Sequence, residues 1–299
     1  MNSNPAKTVV SELERIPLKT LGEVLIKTSK ELKNSGIIEY SQEARHLVCH
    51  VFKIDKIRLI GGESLSADAS GIKQLSKVVE RRLNGEPVSR IIGEIEFYGL
   101  PFKLCENTLV PRSDTGTLID AVLADYQSEA KDCFRVLDIG TGTGAIIISI
   151  LYNMPKSLGI ATDIDNKTLE TARFNAVENG VVDRMKFVKS NWCSDVEEKF
   201  DIIVSNPPYI KSATISKLAI EVKCYDPLIA LDGGSDGLDA YRNIFTQCSL
   251  NIAKNGRLYL EIGYDQCEAV VELAKQAEWK FIGLIKDLGA NDRILVFEL

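Results

Sequence analysis

Residues 205–209 read Ser-Asn-Pro-Pro-Tyr. Each proline stiffens the turn and removes an N–H, so the carbonyls around it are free to face a ligand. Asn206 adds a side-chain oxygen as acceptor. A planar amide or exocyclic amine –NH2 has two hydrogens, and two acceptors are needed to hold it in one orientation. The Asn206 oxygen and the Pro207 carbonyl form such a pair, Pro208 stiffens the turn, and Tyr209 can stack on a flat group. An amide nitrogen is a weak nucleophile because its lone pair is shared with the carbonyl. Drawing on both N–H bonds returns electron density to it and aligns it for in-line attack on a methyl carbon. Positioning of this kind contributes on the order of 7–11 kcal/mol to lowering a barrier. The proton leaves once nitrogen carries the methyl, so the chemistry asks for neither a metal nor a strong base. Asn206, Pro207 and Tyr209 are the candidate catalytic residues, and Asn206, Pro207, Pro208 and Tyr209 the candidate substrate-binding ones.

A second run, Val136-Leu137-Asp138-Ile139-Gly140-Thr141-Gly142-Thr143-Gly144-Ala145, sits where a strand pattern gives way to a helical one. Glycines there let the backbone bend tightly and approach a ligand closely. Asp163 ends the next strand pattern, where a carboxylate can accept from both hydroxyls of a ribose. By itself this loop fits two cofactors, because Gly140-x-Gly142-x-x-Ala145 also satisfies a loose dinucleotide fingerprint. The Asn-Pro-Pro-Tyr run decides between them: a nicotinamide enzyme gives no reason for it, whereas transfer of a methyl from the sulfonium of S-adenosylmethionine does.

Both loops need neighbouring strand ends. From Phe134 the chain alternates short apolar runs with helical patterns, with strands expected at 134–139, 158–164, 185–190, 200–205, 257–262, 279–285 and 293–298. Helices are expected at 144–152, 166–179, 237–253 and 265–277. That alternation predicts an α/β fold with a parallel sheet covered on both faces. Only Lys286 to Asp292 separates the last two strands, too short for a parallel crossover, so the final strand is expected to be antiparallel. Residues 1–85 read as a small helical domain. Thr20 and Glu23 form a capping box, Ser41 caps a second helix and Ser70 a third, with Gly36 and Gly85 after two of the ends. Residues 86–110 read as a β-hairpin linker with strands 91–98 and 100–104 around Gly99. Residues 111–299 form the catalytic domain, opening with a helix from about Asp114 to Tyr126.

Composition narrows the partners. Of 299 residues, 1–85 carry 14 Lys+Arg against 10 Asp+Glu (+4) and the rest 22 against 32 (−10). An acidic catalytic half lacks the basic footprint of a nucleic-acid enzyme, and no stable nucleic-acid binding is expected. The front's mild basicity reads as an ordinary solvated surface, with an acidic partner or RNA as the minor reading. No apolar run approaches the roughly 20 residues that cross a bilayer, and Met1 to Val10 carries no apolar core of a secretory signal. A soluble, cytoplasmic protein without a membrane partner is expected. The seven cysteines are scattered, with no Cys-x-x-Cys pair; this argues against a disulfide framework or zinc site and for buried thiols. His46 and His50 share a helix face but lack a third ligand, so no metal site is expected. Glu80-Arg81-Arg82 reads as a solvated helix end.

With these residues in hand, the chain resembles the release-factor glutamine methyltransferases, the PrmC/HemK family, over nearly its whole length. The resemblance rests on Glu86-Pro87 through Gly93, Phe97-Tyr98-Gly99, Val110-Pro111-Arg112, Asp138 to Gly144, Ser205 to Ile210, Asp236-Gly237-Leu238, Glu261-Ile262-Gly263 with Gln266, and Asp287 with Asp292-Arg293. It implies a seven-stranded class I S-adenosylmethionine-dependent methyltransferase domain, Rossmann-like, behind a helical recognition domain. It also implies a substrate, the glutamine of the Gly-Gly-Gln loop in class 1 peptide chain release factors. By the same likeness Gly140, Thr141, Gly142, Thr143 and Gly144 hold the methionine part of the cofactor, Asp163 its ribose, and Trp192 and Asn206 also contact it. Two positions depart from the family pattern. Gly116 stands where a carboxylate is usual, and Asn191 stands where an aspartate precedes the tryptophan; Asn191 can still accept from an adenine amino group, but without charge. Glu261 has no role assigned by either route. Two rival readings share the fold: a DNA adenine N6-methyltransferase, which must also flip a base and grip phosphates, and a non-catalytic cofactor-binding module.

Overall fold

The computed structural model describes residues 10–15, 19–62, 64–126 and 133–299. The opening stretch read as free of a secretory signal lies, but for Val10, outside the described residues. Two compact units are present, Met1–Gly93 and Glu94–Leu299. No helix among the described residues is long and apolar enough to cross a membrane.

The first unit holds α1 (Leu21–Asn34), α2 (Tyr40–Phe52), α3 (Lys56–Gly61), α4 (Ala69–Leu83) and α5 (Val88–Ile92). The capping box of α1 forms as expected: Glu23 N donates to Thr20 Oγ1 at 3.3 Å and Thr20 N to Glu23 Oε2 at 3.2 Å. The other two caps differ. Helix α2 starts at Tyr40, ahead of Ser41, with no side-chain cap. Helix α4 is capped by Asp68, which accepts from Gly71 N at 2.7 Å, so Ser70 falls inside the helix. Asp68 reaches the orphan amides first and carries charge to the positive helix end. The short α3 was not expected; Asp55 caps it by accepting from Arg58 N at 2.6 Å. Val24, Leu47, Val48, Leu75 and Val79 fill the core. Glu80-Arg81-Arg82 is not wholly solvated: Arg82 is buried and its Nε donates to Glu43 at 2.6 Å, joining α4 to α2. His46 and His50 are half-buried on α2. Among the described residues no group of His, Cys, Asp and Glu could hold a metal ion.

The stretch read as one hairpin is divided. Val88–Ile92 is helical, so Ile91 and Ile92, read as the start of the first strand, belong to a helix instead, and Ile91 joins the helical core. The hairpin strands are β1 (Glu94–Phe97) and β2 (Leu100–Lys103), and Phe97, Leu100 and Phe102 pack in the second unit. Tyr98 and Gly99 turn it with φ of 51° and 75°, the two positive angles that a two-residue hairpin turn matched to strand twist demands.

The second unit continues with α6 (Gly116–Tyr126), β3 (Arg135–Ile139), α7 (Ala145–Asn153), β4 (Leu158–Asp163), α8 (Asn166–Glu178), β5 (Met185–Lys189) and β6 (Phe200–Ser205). It ends with α9 (Ser212–Ile215), α10 (Ile220–Lys223), α11 (Asp239–Cys248), β7 (Ile252–Glu261), α12 (Cys267–Gln276), β8 (Lys280–Lys286) and β9 (Asp292–Glu298). The seven strands order β5-β4-β3-β6-β7-β9-β8, with β9 antiparallel to both its neighbours. Alternate residues of each strand feed opposite cores: Val136, Ile202 and Val204 pack with α6 and α7 residues, while Leu137, Ile203 and Leu258 pack with those of α11 and α12. One boundary moved. Helix α11 stops at Cys248, and β7 begins at Ile252, which pairs with Phe200; Ile252 and Ala253 keep helical spacing but are claimed by the sheet edge. All seven cysteines are free, but only Cys193 and Cys248 are buried, while Cys133 and Cys224 are exposed.

Ile139 pairs with Thr162 on one side and Ser205 on the other. The loops after β3, β4 and β6 therefore leave the sheet side by side. Chain order reverses at β3, and that is where open α/β sheets hold ligands.

Candidate active site

The glycine loop turns on positive φ at Gly140 (69°), Gly142 (56°) and Gly144 (81°). Thr141 N donates to Thr162 O at 2.8 Å, tying the loop to β4, and Thr141 Oγ1 donates to Asp138 Oδ2 at 2.7 Å. Asp138 is fully buried, and burial pushes its carboxyl up to about 7. Gly144 plays a different part from its neighbours. A Cβ there would sit 2.7 Å from Ile148 and 3.3 Å from Ala172, so it seats α7 against α8 and does not line the cleft.

Asp163 accepts from Gly142 N and from Asp165 N, both at 3.1 Å. These amides lower its pKa, yet burial outweighs them and the net direction is upward. Each oxygen keeps a lone pair for a hydroxyl in the cleft. Trp192 holds φ of 61°, unusual for an aromatic residue, with its ring on the cleft wall beside Asn191.

The Asn-Pro-Pro-Tyr loop is clamped from below. Ser205 Oγ donates to Ile139 O at 2.8 Å. Gln266 Nε2 donates to Tyr209 O at 3.0 Å and to Gly237 O at 3.1 Å, while its Oε1 accepts from Gly263 N at 3.0 Å. A Cβ on Gly237 would lie 2.6 Å from Tyr209 O, and one on Gly233 2.8 Å from Pro208 O, so only glycine permits this approach. Asn206 Nδ2 donates to Thr115 Oγ1 at 3.2 Å. Tyr209 does not line the cleft. It packs against the apolar cluster beneath, where burial pushes its phenol up to about 12.

A cleft of about 280 Å³ thus gathers Gly140, Thr141, Gly142, Thr143, Asp163, Trp192, Asn206, Pro207 and Pro208, leaving out Gly144 and Tyr209. Its wall also includes Asn107, Thr115, Ile229 and Asp232, none of which the sequence reading placed at the site. Thr115 carried no signal of its own, and Gln266 was marked only by the family resemblance, since the roles of both depend on which partners the fold brings to them. At Gly116 a Cβ would meet only the Tyr98 ring at 3.7 Å, so space for a side chain remains there. A glycine-lined backbone that a ligand can approach closely, a carboxylate with free lone pairs and an aromatic wall together fit a nucleoside-bearing methyl donor.

The family model "Methyltransferase small domain" matches residues 112–222, and "PrmC N-terminal domain" matches 23–93. The release factor glutamine methyltransferase of Agrobacterium fabrum is 38% identical over 282 residues, covering 93% of this chain and 97% of that one. The chain belongs to the release factor glutamine methyltransferase family. Another family member, from Bradyrhizobium diazoefficiens, is 40% identical over 247 residues, 82% of this chain and 83% of its own. A bifunctional methyltransferase of Rickettsia conorii is 34% identical, with 93% of this chain covering 57% of that protein. Among solved structures the catalytic domain of human Mettl16, in complex with an RNA hairpin, is 15% identical with a TM-score of 0.54. It covers 74% of this chain and 81% of its own, a likeness of fold. Like its family, this chain is a methyltransferase.

Proposed function

We propose that this protein transfers a methyl group from S-adenosylmethionine to the side-chain amide nitrogen (N5) of the glutamine in the Gly-Gly-Gln loop of class 1 peptide chain release factors. One observation carries the reading: Asn206 and Pro207 share a single cleft with the glycine loop and Asp163, so an amide –NH2 and a methyl donor meet there. When bound, the donor supplies a methyl carbon on a positively charged sulfur. Gly140 to Thr143 cradle its amino-acid end, Asp163 accepts from its ribose and Trp192 covers it. Asn206 Oδ1 and the Pro207 carbonyl accept the two amide hydrogens and fix the nitrogen's lone pair toward the donor. Pro208 lines the same cleft wall, while the Tyr209 ring packs in the apolar cluster beneath the loop and supports it from there. The helical front recognises the release factor, and the cytoplasm is where that substrate is met.

Transfer of labelled methyl to a purified class 1 release factor tests this, beside a Gln→Ala variant of its Gly-Gly-Gln loop and beside duplex DNA. Label on the unaltered factor alone is expected. Label on DNA alone moves the acceptor to adenine, and label on neither removes the activity.

A further inference from the structure

Glu261 closes β7 next to the Asn206 loop: the register pairs Leu260 with Ser205, one residue before each. Its side chain is 2% exposed, and Oε2 is buried with no hydrogen-bond partner. An isolated carboxylate in such a place costs stability, and the apolar packing around it asks for none. Its neighbours explain it better than the core does. Arg293 approaches from β9, but its Nε and Nη2 donate to Asp287 at 3.1 and 2.9 Å and its Nη1 to Ile262 O at 3.1 Å. Asp114 opposes the charge, and the phenols of Tyr209 and Tyr241 lie near it. The polar side chains that favour its ionised form by hydrogen bonding are Thr115 and Asn206.

A carboxylate only accepts, so the groups turned toward it must be donors. That settles an ambiguity Thr115 cannot settle alone, because a hydroxyl serves equally as donor or acceptor. With its hydrogen drawn toward Glu261, Thr115 Oγ1 must accept, and it accepts from Asn206 Nδ2 at 3.2 Å. The Asn206 amide then has its nitrogen toward the protein and its oxygen toward the cleft. We propose that Glu261 is a positioning residue that, directly and through Thr115, dictates which end of the Asn206 amide meets the substrate nitrogen. This rests on the reading of Asn206 as the acceptor for a glutamine amide. Flipped, Asn206 would set N–H against N–H and the substrate amide would lose one of its two acceptors.

The relay titrates. Burial pushes Glu261 up to about 7, and its protonated form can donate, which releases the constraint. Of the charged and titratable groups that face it, Tyr209, Tyr241 and Arg293 are shifted upward and stay clear of this range, and Asp114 opposes its charge. Turnover is therefore expected to fall as pH drops through about 7.

The full-length protein is tested with a class 1 release factor at saturating cofactor, from about pH 6 to 9. Wild type, Glu261→Gln, Thr115→Val, Thr115→Ser and the Glu261→Gln/Thr115→Val pair are compared, with each cofactor Kd measured by calorimetry. Glu261→Gln and Thr115→Val should each lower kcat about tenfold or more, as loss of a preorganised acceptor does. Glu261→Gln should also lose the acid limb, Thr115→Ser should restore the rate, and the pair should lose no more than Glu261→Gln alone. Cofactor Kd should stay within about twofold throughout, which a fold-wide disturbance would not allow. Wild-type turnover and an intact acid limb in Glu261→Gln overturn the inference, as does full additivity in the pair. A release factor left unlabelled by wild type overturns the substrate reading and takes this inference with it; a labelled factor and an indifferent Glu261→Gln overturn this inference alone.

Discussion

Asn206 donates through Nδ2 to Thr115, and on the proposed reading its oxygen is the acceptor aligned only with the reacting amide. Asn206→Ala should lower kcat by about 10²-fold or more with cofactor affinity unchanged; steady-state and calorimetric measurements together check this, and unaltered turnover sinks the assignment. Asp163→Ala belongs to the other half of the cleft. It should weaken cofactor binding about tenfold or more through loss of charged hydrogen bonds, while saturating cofactor restores most of the rate. Asp138 carries a pH signature instead. Its folded pKa of about 7 lies above the ordinary 3.8 because it is fully buried. The folded protein therefore binds more protons than the unfolded chain across that interval. Stability should fall as pH rises from about 4 to about 7 and level off above. Asp138→Asn should flatten that descent, with a gain above pH 7 bounded on the order of 4 kcal/mol; denaturant unfolding at three pH values reads it, and a slope matching wild type refutes it. The part of the descent due to Glu261 stays.

The loops that carry these residues are set by elements, and here the sequence was legible where chemistry or sterics demanded one residue type. The prolines after β6, the glycines after β3 and the carboxylate ending β4 could be read directly, and the register of Ile139 with Thr162 and Ser205 brings them together. What could not be read depends on the partners that folding supplies. Ser41 and Ser70 are good caps in isolation, yet Asp68 pre-empts one and α2 begins before the other. Val88–Ile92 is rich in β-branched residues and is still helical, because Pro87 starts it and Ile91 has a helical core to enter. Gln266 was marked by the family resemblance, but its role as a clamp became readable only with Gly237, Gly263 and Tyr209 in place around it. Gly237 tests that clamp. Its φ is 79°, and a Cβ would fall 2.6 Å from Tyr209 O and 2.9 Å from Gln266 Nε2. Gly237→Ala should displace the Asn-Pro-Pro-Tyr loop and lower kcat at least tenfold, since misplacement of about 1 Å costs about 10² in rate. Cofactor Kd should barely move, because the glycine loop hangs from other strands; loss of both together would place Gly237 in overall folding instead.

At the scale of the whole molecule, the cleft belongs to one of the two units alone. Every residue lining the cleft, from Asn107 to Asp232, lies in Glu94–Leu299. Both large apolar clusters, one on each face of the sheet, also draw only on that unit. A chain of residues 94–299 therefore retains its own core and should bind S-adenosylmethionine with a Kd within about threefold of the full protein. The helical unit has a core of its own, built from Val24, Leu47, Leu75 and their neighbours, and the front of the chain is net basic while the rest is acidic. If that unit recognises the release factor, the fragment should methylate an intact factor with KM raised about tenfold or more, because docking surface has been removed without touching the chemistry. Its activity on a short Gly-Gly-Gln peptide, already lacking the remote contacts, should match that of the full chain. Equal KM for the intact factor in both proteins would put recognition wholly in the catalytic unit, and loss of cofactor binding in the fragment would show that the sheet depends on the helices for its fold.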